Sequence, residues 1–131
     1  MPPSVALLTT IVESVRQLGV PTYTPAQDMP KQLPAVRIAL VNSNPTDAYK
    51  GAREYEYPFQ LDVISGKNKL VEGLTLAYKV QDALRRLQVD GYGVQLVNEP
   101  SLSSMIDSST NEILNRQIIS VTYNIIEATA F

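Results

Sequence analysis

The middle of the chain alternates between polar and apolar residues over Arg53-Glu54-Tyr55-Glu56-Tyr57-Pro58-Phe59-Gln60-Leu61-Asp62-Val63. Successive side chains of a β-strand point to opposite faces, so this period of two predicts a long strand. One face of the strand is aromatic and aliphatic, and the other is acidic and polar. Pro58 cannot donate to a ladder, which favours an edge position or a bulge. The stretch therefore predicts a sheet with one buried face.

The residues around this strand predict two helices and three further strands. Apolar residues at helical spacing predict helices over about 3–18 and 69–88. For the first helix, an ordinary core face is favoured over a partner-binding face. In the second helix the predicted apolar stripe consists of Leu70, Leu74, Ala77, Val80, Leu84 and Leu87. The further strands are predicted over 35–41, 94–97 and 117–126.

The order of these elements is helix, strand, strand, helix, strand, strand, with no internal repeat and no linker between domains. Hairpin-like connections at 42–53 and 98–112 favour a mostly antiparallel, four-stranded sheet. Both helices would pack on its apolar face, which gives an α+β fold. With 131 residues, the chain is predicted to form a single domain over 1–131.

Composition excludes several classes of function. The chain has no cysteine and no histidine, so thiol nucleophiles, serine–histidine triads and histidine-ligated zinc are excluded. With a formal net charge of -2, the chain lacks the overall excess of basic residues that is typical of duplex-DNA binders. No signal peptide and no membrane span is apparent, which predicts a soluble protein made inside the cell.

Two connections carry unusual residues. Residues 20–34 contain four prolines and form either a plain connector or a contact arm. Residues 98–111 are rich in serine and are predicted to be a mobile loop, yet they include Leu102, Met105 and Ile106. These apolar side chains either dock on a neighbouring subunit or fold back onto their own domain.

The constellation closest to an active site is Glu54, Glu56 and Asp62, on the polar face of the long strand. Alternate residues on a strand lie about 7 Å apart, a spacing also seen between paired catalytic carboxylates. Any solvated strand face has the same period, however, so the catalytic reading is disfavoured. No phosphate-binding loop is present. We therefore expect no enzyme activity and no cofactor.

A leading amphipathic helix is combined with four local stretches in the chain. They are Leu33-Pro34-Ala35-Val36-Arg37-Ile38, the alternating strand 53–63, Val80-Gln81-Asp82-Ala83-Leu84, and Arg116-Gln117-Ile118-Ile119-Ser120-Val121-Thr122-Tyr123. In these stretches and in the order of its elements, the chain resembles the phage tail terminator, tail-completion and head–tail joining proteins of long-tailed siphophages. The match spans nearly the whole chain, and none of the stretches is a diagnostic motif.

The resemblance implies a hexameric ring at the head-proximal end of the tail tube, assembled in the host cytoplasm. Such a ring ends tail polymerisation and joins the tail to the head, so the expected partners are further copies of the chain, the tail-tube protein and the head-connector protein. DNA would only pass through the lumen, without sequence-specific binding, and no membrane is involved. Another head–tail adaptor, a minor tail subunit and a small ligand-binding module are the alternatives.

This hypothesis assigns a role to each of two sets of residues. Glu54, Glu56 and Asp62 would form an acidic face lining the channel, where they repel phosphates. A closed ring needs two different patches that meet around the circle. The candidate interface residues are Tyr49, Lys50 and Arg53 in one loop, and Leu102, Met105 and Ile106 in the other.

Overall fold

The computed structural model describes residues 2–46, 52–108 and 112–128, and for 52, 53, 127 and 128 it describes the backbone. Within these ranges the chain forms two helices and seven strands. In chain order they are α1 Pro3–Arg16, β1 Thr22–Tyr23, β2 Ala35–Leu40, β3 Asn44–Pro45, β4 Ala52–Gly66, α2 Leu70–Arg85, β5 Gly93–Leu96, β6 Ser101–Asp107 and β7 Leu114–Ala128.

The strands form one sheet in the order β1-β2-β4-β7-β5. The short strand β3 also pairs with β4, and β6 pairs with β7. The two longest strands, β4 and β7, pair along their whole length from Ala52 opposite Ala128 to Gly66 opposite Leu114. Only β1 and β2 run parallel among the described pairs. The sheet is therefore mostly antiparallel, as the sequence predicts.

The prediction of a four-stranded sheet is wrong, because the described residues form seven strands in it. The α+β class itself fits. Two of the additional strands, β1 and β3, have two residues each, too few for any periodicity to show. The third, β6, lies in the serine-rich segment, where the apolar positions 102, 105 and 106 do not alternate. Pairing with β7 makes it a strand, so a mobile loop is also the wrong description of this segment.

Both helices cover one face of the sheet, which we call the helix face. The odd-numbered side chains from Tyr57 to Val63 on β4 and from Ile119 to Ile125 on β7 point toward the helices and are buried, as the alternation predicts. The largest of those that are less than 2% exposed are Phe59, Leu61, Ile119, Tyr123 and Ile125. Burying one such side chain contributes roughly 1.5–3 kcal/mol. This layer is the main core of the protein.

Pro58 lies in a central strand, not at an edge. On one side β4 pairs with β7 throughout. On the other side the register runs from Leu40 opposite Phe59 to Asn44 opposite Glu56, so Pro58 falls between the segments paired with β2 and β3. Its carbonyl accepts a hydrogen bond from the Val41 N–H at 2.9 Å. The missing N–H of proline is therefore placed where no ladder bond is required.

Helix α2 is fixed to the sheet at two points. The buried Tyr123 hydroxyl donates to the Leu84 carbonyl at 2.7 Å, and burial raises the pKa of this phenol. At the other end Gly73 lies against Ser65, where a Cβ on Gly73 would come within 2.6 Å of the Ser65 Oγ. Leu76, Ala77, Val80 and Leu84 are buried. Leu70 and Leu74 are exposed, so their predicted place in the core stripe is wrong.

The proline-rich arm packs on its own domain. Tyr23 is buried with Ala35, Ile64 and Leu114, and Leu33 packs against them. In the sheet register these residues lie on the face opposite the helices, which we call the open face. The arm therefore covers one end of the open face, as expected of a connector.

Candidate assembly surfaces

The open face of the sheet carries the predicted acidic residues. Glu54, Glu56 and Asp62 all point to this side of β4, because they are even-numbered in a strand whose odd-numbered side chains are in the core. The residues directly opposite them on β7 are uncharged, namely Ile126, Asn124 and Ile118. The prediction that the three acids share one face is confirmed, but their environments differ.

Glu54 is held in its charged form. Its carboxylate accepts a hydrogen bond from the Asn124 amide across the strand pair. This bond and a smaller contribution from the Thr46 hydroxyl lower the pKa of Glu54. Glu54 and Glu56 are both half-buried, so water reaches them. They form an accessible negative pair at one end of the open face.

Asp62 is part of a nearly closed ion-pair network. It is 3% exposed, and its Oδ2 lies 2.9 Å from Arg116 Nη2. Arg116 Nη1 in turn lies 2.9 Å from the Asp107 Oδ2 at the end of β6. Gln60 donates to the remaining Asp62 oxygen at 3.1 Å. Asp62 is thus neutralised by Arg116 and adds little to an exposed acidic surface.

The sequence reasoning missed Arg116 and Asp107 as partners of Asp62. Asp62 and Arg116 are 54 positions apart in the chain, and only the β4–β7 register brings them together. No set of three or more acidic side chains that could hold a metal ion occurs among the residues described.

The structure describes the side chains of one predicted set of interface residues but not those of the other. Tyr49 and Lys50 lie outside the described residues, and so does the side chain of Arg53. Leu102, Met105 and Ile106 lie on β6 with exposures of 40%, 45% and 69%. Leu102 and Ile106 are on the helix face, opposite Ile119 and Asn115, and Met105 is on the open face opposite Arg116. The segment therefore packs on its own domain as a strand, while these three side chains stay partly exposed.

Helix α2 adds exposed apolar residues beside β6. They are Leu70, Val71, Leu74 and Tyr78, with exposures of 43%, 76%, 38% and 66%.

Their position follows from two contacts on the same stripe of α2. Gln81 Nε2 donates to the Pro100 carbonyl at 2.9 Å, and Arg85 Nε donates to the Glu99 carboxylate at 2.5 Å. Residues seven positions apart in a helix are separated by about two turns and lie on the same face. Leu74 therefore shares the face of Gln81, and Tyr78 shares the face of Arg85. This side of α2 therefore faces the strand that begins at Ser101.

Together these side chains form an apolar surface that we call the α2–β6 flank, composed of Leu70, Val71, Leu74, Tyr78, Leu102 and Ile106. Its exposed area is on the order of 600 Å², at the upper end of the roughly 300–600 Å² of the largest patch on a typical monomer. The sequence indicated only two of these six residues, because Leu102 and Ile106 stand out as apolar residues in a serine-rich segment. The α2 half was missed because its leucines fit the core stripe.

An open hollow of about 810 Å³ lies between α1 and the turn after α2. Its polar lining comes from Thr9, Thr10 and Glu13 on one side and from Gln88, Asp90 and Tyr92 on the other. In the part of the chain that the structure covers, the unpartnered buried side-chain atoms belong to Ser65, Arg116, Gln117 and Asn124, none of which lines the hollow. The hollow therefore lacks the convergent buried polar groups of a specific ligand site.

None of the helices described here combines the length and the apolar character needed to cross a membrane.

Comparison with known proteins defines the fold but no family. No family model matches the chain, and no curated protein matches it. A solved structure of a protein without a functional name aligns over 93% of this chain and 92% of its own chain, with a TM-score of 0.62 and 16% identity. At this identity the likeness concerns the fold alone.

Proposed function

We propose that this protein is a structural subunit of a phage tail, which assembles as a ring on the head-proximal end of the tail tube. The resemblance to tail terminators implies a ring of six subunits. The ring ends tail polymerisation and joins the tail to the head. The observation that carries this proposal is the α2–β6 flank, an apolar surface on a sheet edge that needs a protein partner. The resemblance of the sequence to tail terminators implies that the partner is a neighbouring copy of the chain, the tail-tube protein or the head-connector protein.

The flank supplies one half of a ring contact. A closed ring joins two different patches of each subunit, and the second patch has to lie elsewhere on the molecule. The opposite edge of the sheet, from Ile38 to Pro45, is a suitable candidate because it contains no charged residue. It leads directly into residues 47–51, which include Tyr49 and Lys50.

The open face fits the lumen of such a ring. Its accessible charged groups are Glu54 and Glu56 against Arg37, and the buried network of Asp62, Asp107 and Arg116 carries one further net negative charge. A surface of net negative charge repels phosphates, so DNA can slide past it. The proposal needs no cofactor, no enzymatic step and no sequence-specific DNA contact.

A head–tail adaptor or a minor tail subunit would use the same surfaces and differ in its neighbours. A ligand-binding module would instead use the hollow beside α1, and the observation in its favour is the size of that hollow. Binding to tail tubes separates the particle roles from the ligand-binding role.

Light scattering after size-exclusion chromatography, with and without purified tail tubes, tests the proposal. Wild-type protein should join the tubes, or form a species near six times 14.4 kDa. Ile106→Asp should abolish both, because it puts a charge into the flank. Ile113→Asp is the matched control, since Ile113 is 42% exposed and lies outside the flank. Wild-type protein that ignores the tubes at every concentration would overturn the proposal.

A further inference from the structure

Strand β6 is an edge strand without the usual protection against pairing. It pairs with β7 on one side, and no strand among the described residues lies on its other side. Natural edge strands are commonly protected by lysines, prolines, bulges or other inward-pointing charges. The sequence of β6, Ser-Leu-Ser-Ser-Met-Ile-Asp, has one charged residue, Asp107, and this is ion-paired with Arg116. The free edge can therefore accept another strand.

The pattern of β6 is complementary to itself. We propose that in the free protein a second copy of this chain pairs with β6 in antiparallel fashion, across a two-fold axis at Ser104. In this register Leu102 lies opposite Ile106 of the second copy, and Ile106 lies opposite its Leu102. The same two contacts thus occur twice, as a two-fold interface requires.

The apolar residues then meet on one side. Leu102 and Ile106 both point to the helix face, and a two-fold axis perpendicular to the sheet keeps the helix faces of both copies together. The two β6 strands would lie about 5 Å apart between the two α2 helices. Leu74 and Tyr78 of each copy border the gap. The interface would cover Leu102 and Ile106 of both copies and bring the α2 sides of the two flanks toward each other.

The area and the charges agree with this arrangement. Complete burial of two flanks of on the order of 600 Å² would remove about 1,200 Å² in total, which is the lower bound of a stable specific interface, so the two-fold contact is expected to be weak. Other pairs on the open face are Met105 opposite Ser103 and Asp107 opposite Ser101. No two like charges face each other, and main-chain hydrogen bonds add to the apolar contact.

Other registers lose these features. Antiparallel pairing that keeps the helix faces together shifts by two residues at a time, because the side-chain period is two. A shift in either direction leaves Leu102 or Ile106 opposite serine or beyond the end of β6. Pairing with the opposite edge of a second copy would extend the sheet in one direction without a two-fold axis.

This inference concerns the free protein and does not rest on the proposed function. A dimer of this kind hides the flank that a ring needs, so it describes the protein before it joins a tail. The absence of such a dimer would leave binding to tail tubes untouched, and a failure to bind tubes would leave the dimer untouched.

Cysteine cross-linking tests the register directly, because the chain contains no cysteine of its own. In the proposed dimer the Cα atoms of the two Ser104 residues lie about 4.5–5.5 Å apart, within reach of a disulfide. Ser101→Cys is the matched control on the same strand, since the two copies of residue 101 would be about 20 Å apart. Under mild oxidation, Ser104→Cys should form a disulfide-linked dimer at least about tenfold faster than Ser101→Cys.

A second pair checks the register independently of any effect of Ser104→Cys on folding. A mixture of Ser103→Cys and Met105→Cys chains should give the mixed dimer in excess over either self-linked dimer. Equal rates for Ser104→Cys and Ser101→Cys would overturn the proposal, as would self-linked dimers exceeding the mixed one. A preference for Ser101→Cys cross-linking would indicate a different contact between copies.

Discussion

The carboxylate of Asp107 lies 2.9 Å from the guanidinium of Arg116, which joins the last residue of β6 to the first part of β7. Residues 101–106 of β6 are all exposed, whereas Asp107 is buried. Apart from its pairing with β7, this ion pair is the main attachment of β6 to the sheet among the contacts described. Because Arg116 also binds Asp62, the position of the edge strand is linked to the centre of the open face.

Replacing Asp107 by asparagine should loosen β6. The substitution removes the charge that faces Arg116 in a mostly buried position, which costs about 1–3 kcal/mol. Compared with the wild type, amide hydrogen exchange in the variant should become faster in β6 and change little in β4. Asp82→Asn is the control, because its ion pair with Arg86 is largely exposed and contributes little. Unchanged exchange in β6 would show that pairing with β7 is sufficient to hold the strand.

Replacing Gly73 by alanine should destabilise the protein, although alanine favours helix by about 1 kcal/mol. The added Cβ would lie 2.6 Å from Ser65 Oγ and 3.3 Å from Ser65 Cβ. We expect a net loss of about 1–3 kcal/mol in the free energy of unfolding, measured in urea. Gly93→Ala is the control, since nothing lies within 4 Å of its new Cβ.

The same site offers a rescue. The Ser65 hydroxyl is buried without a hydrogen-bond partner, so Ser65→Ala should cost little. In the double variant this change removes the closest clash, and it should recover part of the stability lost in Gly73→Ala. Strict additivity of the two substitutions would contradict the clash as the cause.

Reversing charge on the open face should change how rings interact with DNA. Glu54→Lys combined with Glu56→Lys would make the accessible end of this face positive, so assembled rings should retain duplex DNA at low salt. Glu72→Lys, an exposed position on α2, is the control. Filter binding of DNA to assembled rings measures the effect. Equal retention by the Glu72 variant and the double variant would mean that the open face does not line the channel.

The hydrogen bonds to Glu54 should appear in its titration. The Asn124 amide and the Thr46 hydroxyl lower its pKa in the folded protein. Their stabilisation is therefore present above the pKa of Glu54 in the unfolded chain and is lost as the pH falls through the lower, folded pKa. Carboxyl NMR titration should show that Asn124→Ala raises the pKa of Glu54. An unchanged titration would contradict the role of Asn124.

The sequence predicts those helices and strands whose apolar residues recur at a regular spacing. The alternation of 53–63 gives β4 with the correct buried face, and the apolar spacing of 3–18 gives α1. Period alone does not give β6, since Leu102, Met105 and Ile106 do not alternate. Nor does it give the exposure of Leu70 and Leu74, which depends on how far the sheet extends beneath α2.

The candidate surfaces were predictable only in part. That Glu54, Glu56 and Asp62 share a face follows from their spacing. The burial of Asp62 depends on Arg116 and Asp107, which lie on other strands and are brought close by the register of β7. Long-range pairing of this kind leaves no local pattern in the sequence.

The most direct test of the central proposal is electron microscopy of tail tubes polymerised in the presence of this protein. If the protein caps tubes, each capped tube should carry a ring of about six subunits at one end, and the mean tube length should fall as its concentration rises. Ile106→Asp should leave the tubes long and uncapped, and Ile113→Asp should behave as wild type. Bare ends and unchanged lengths at saturating wild-type protein would contradict the account.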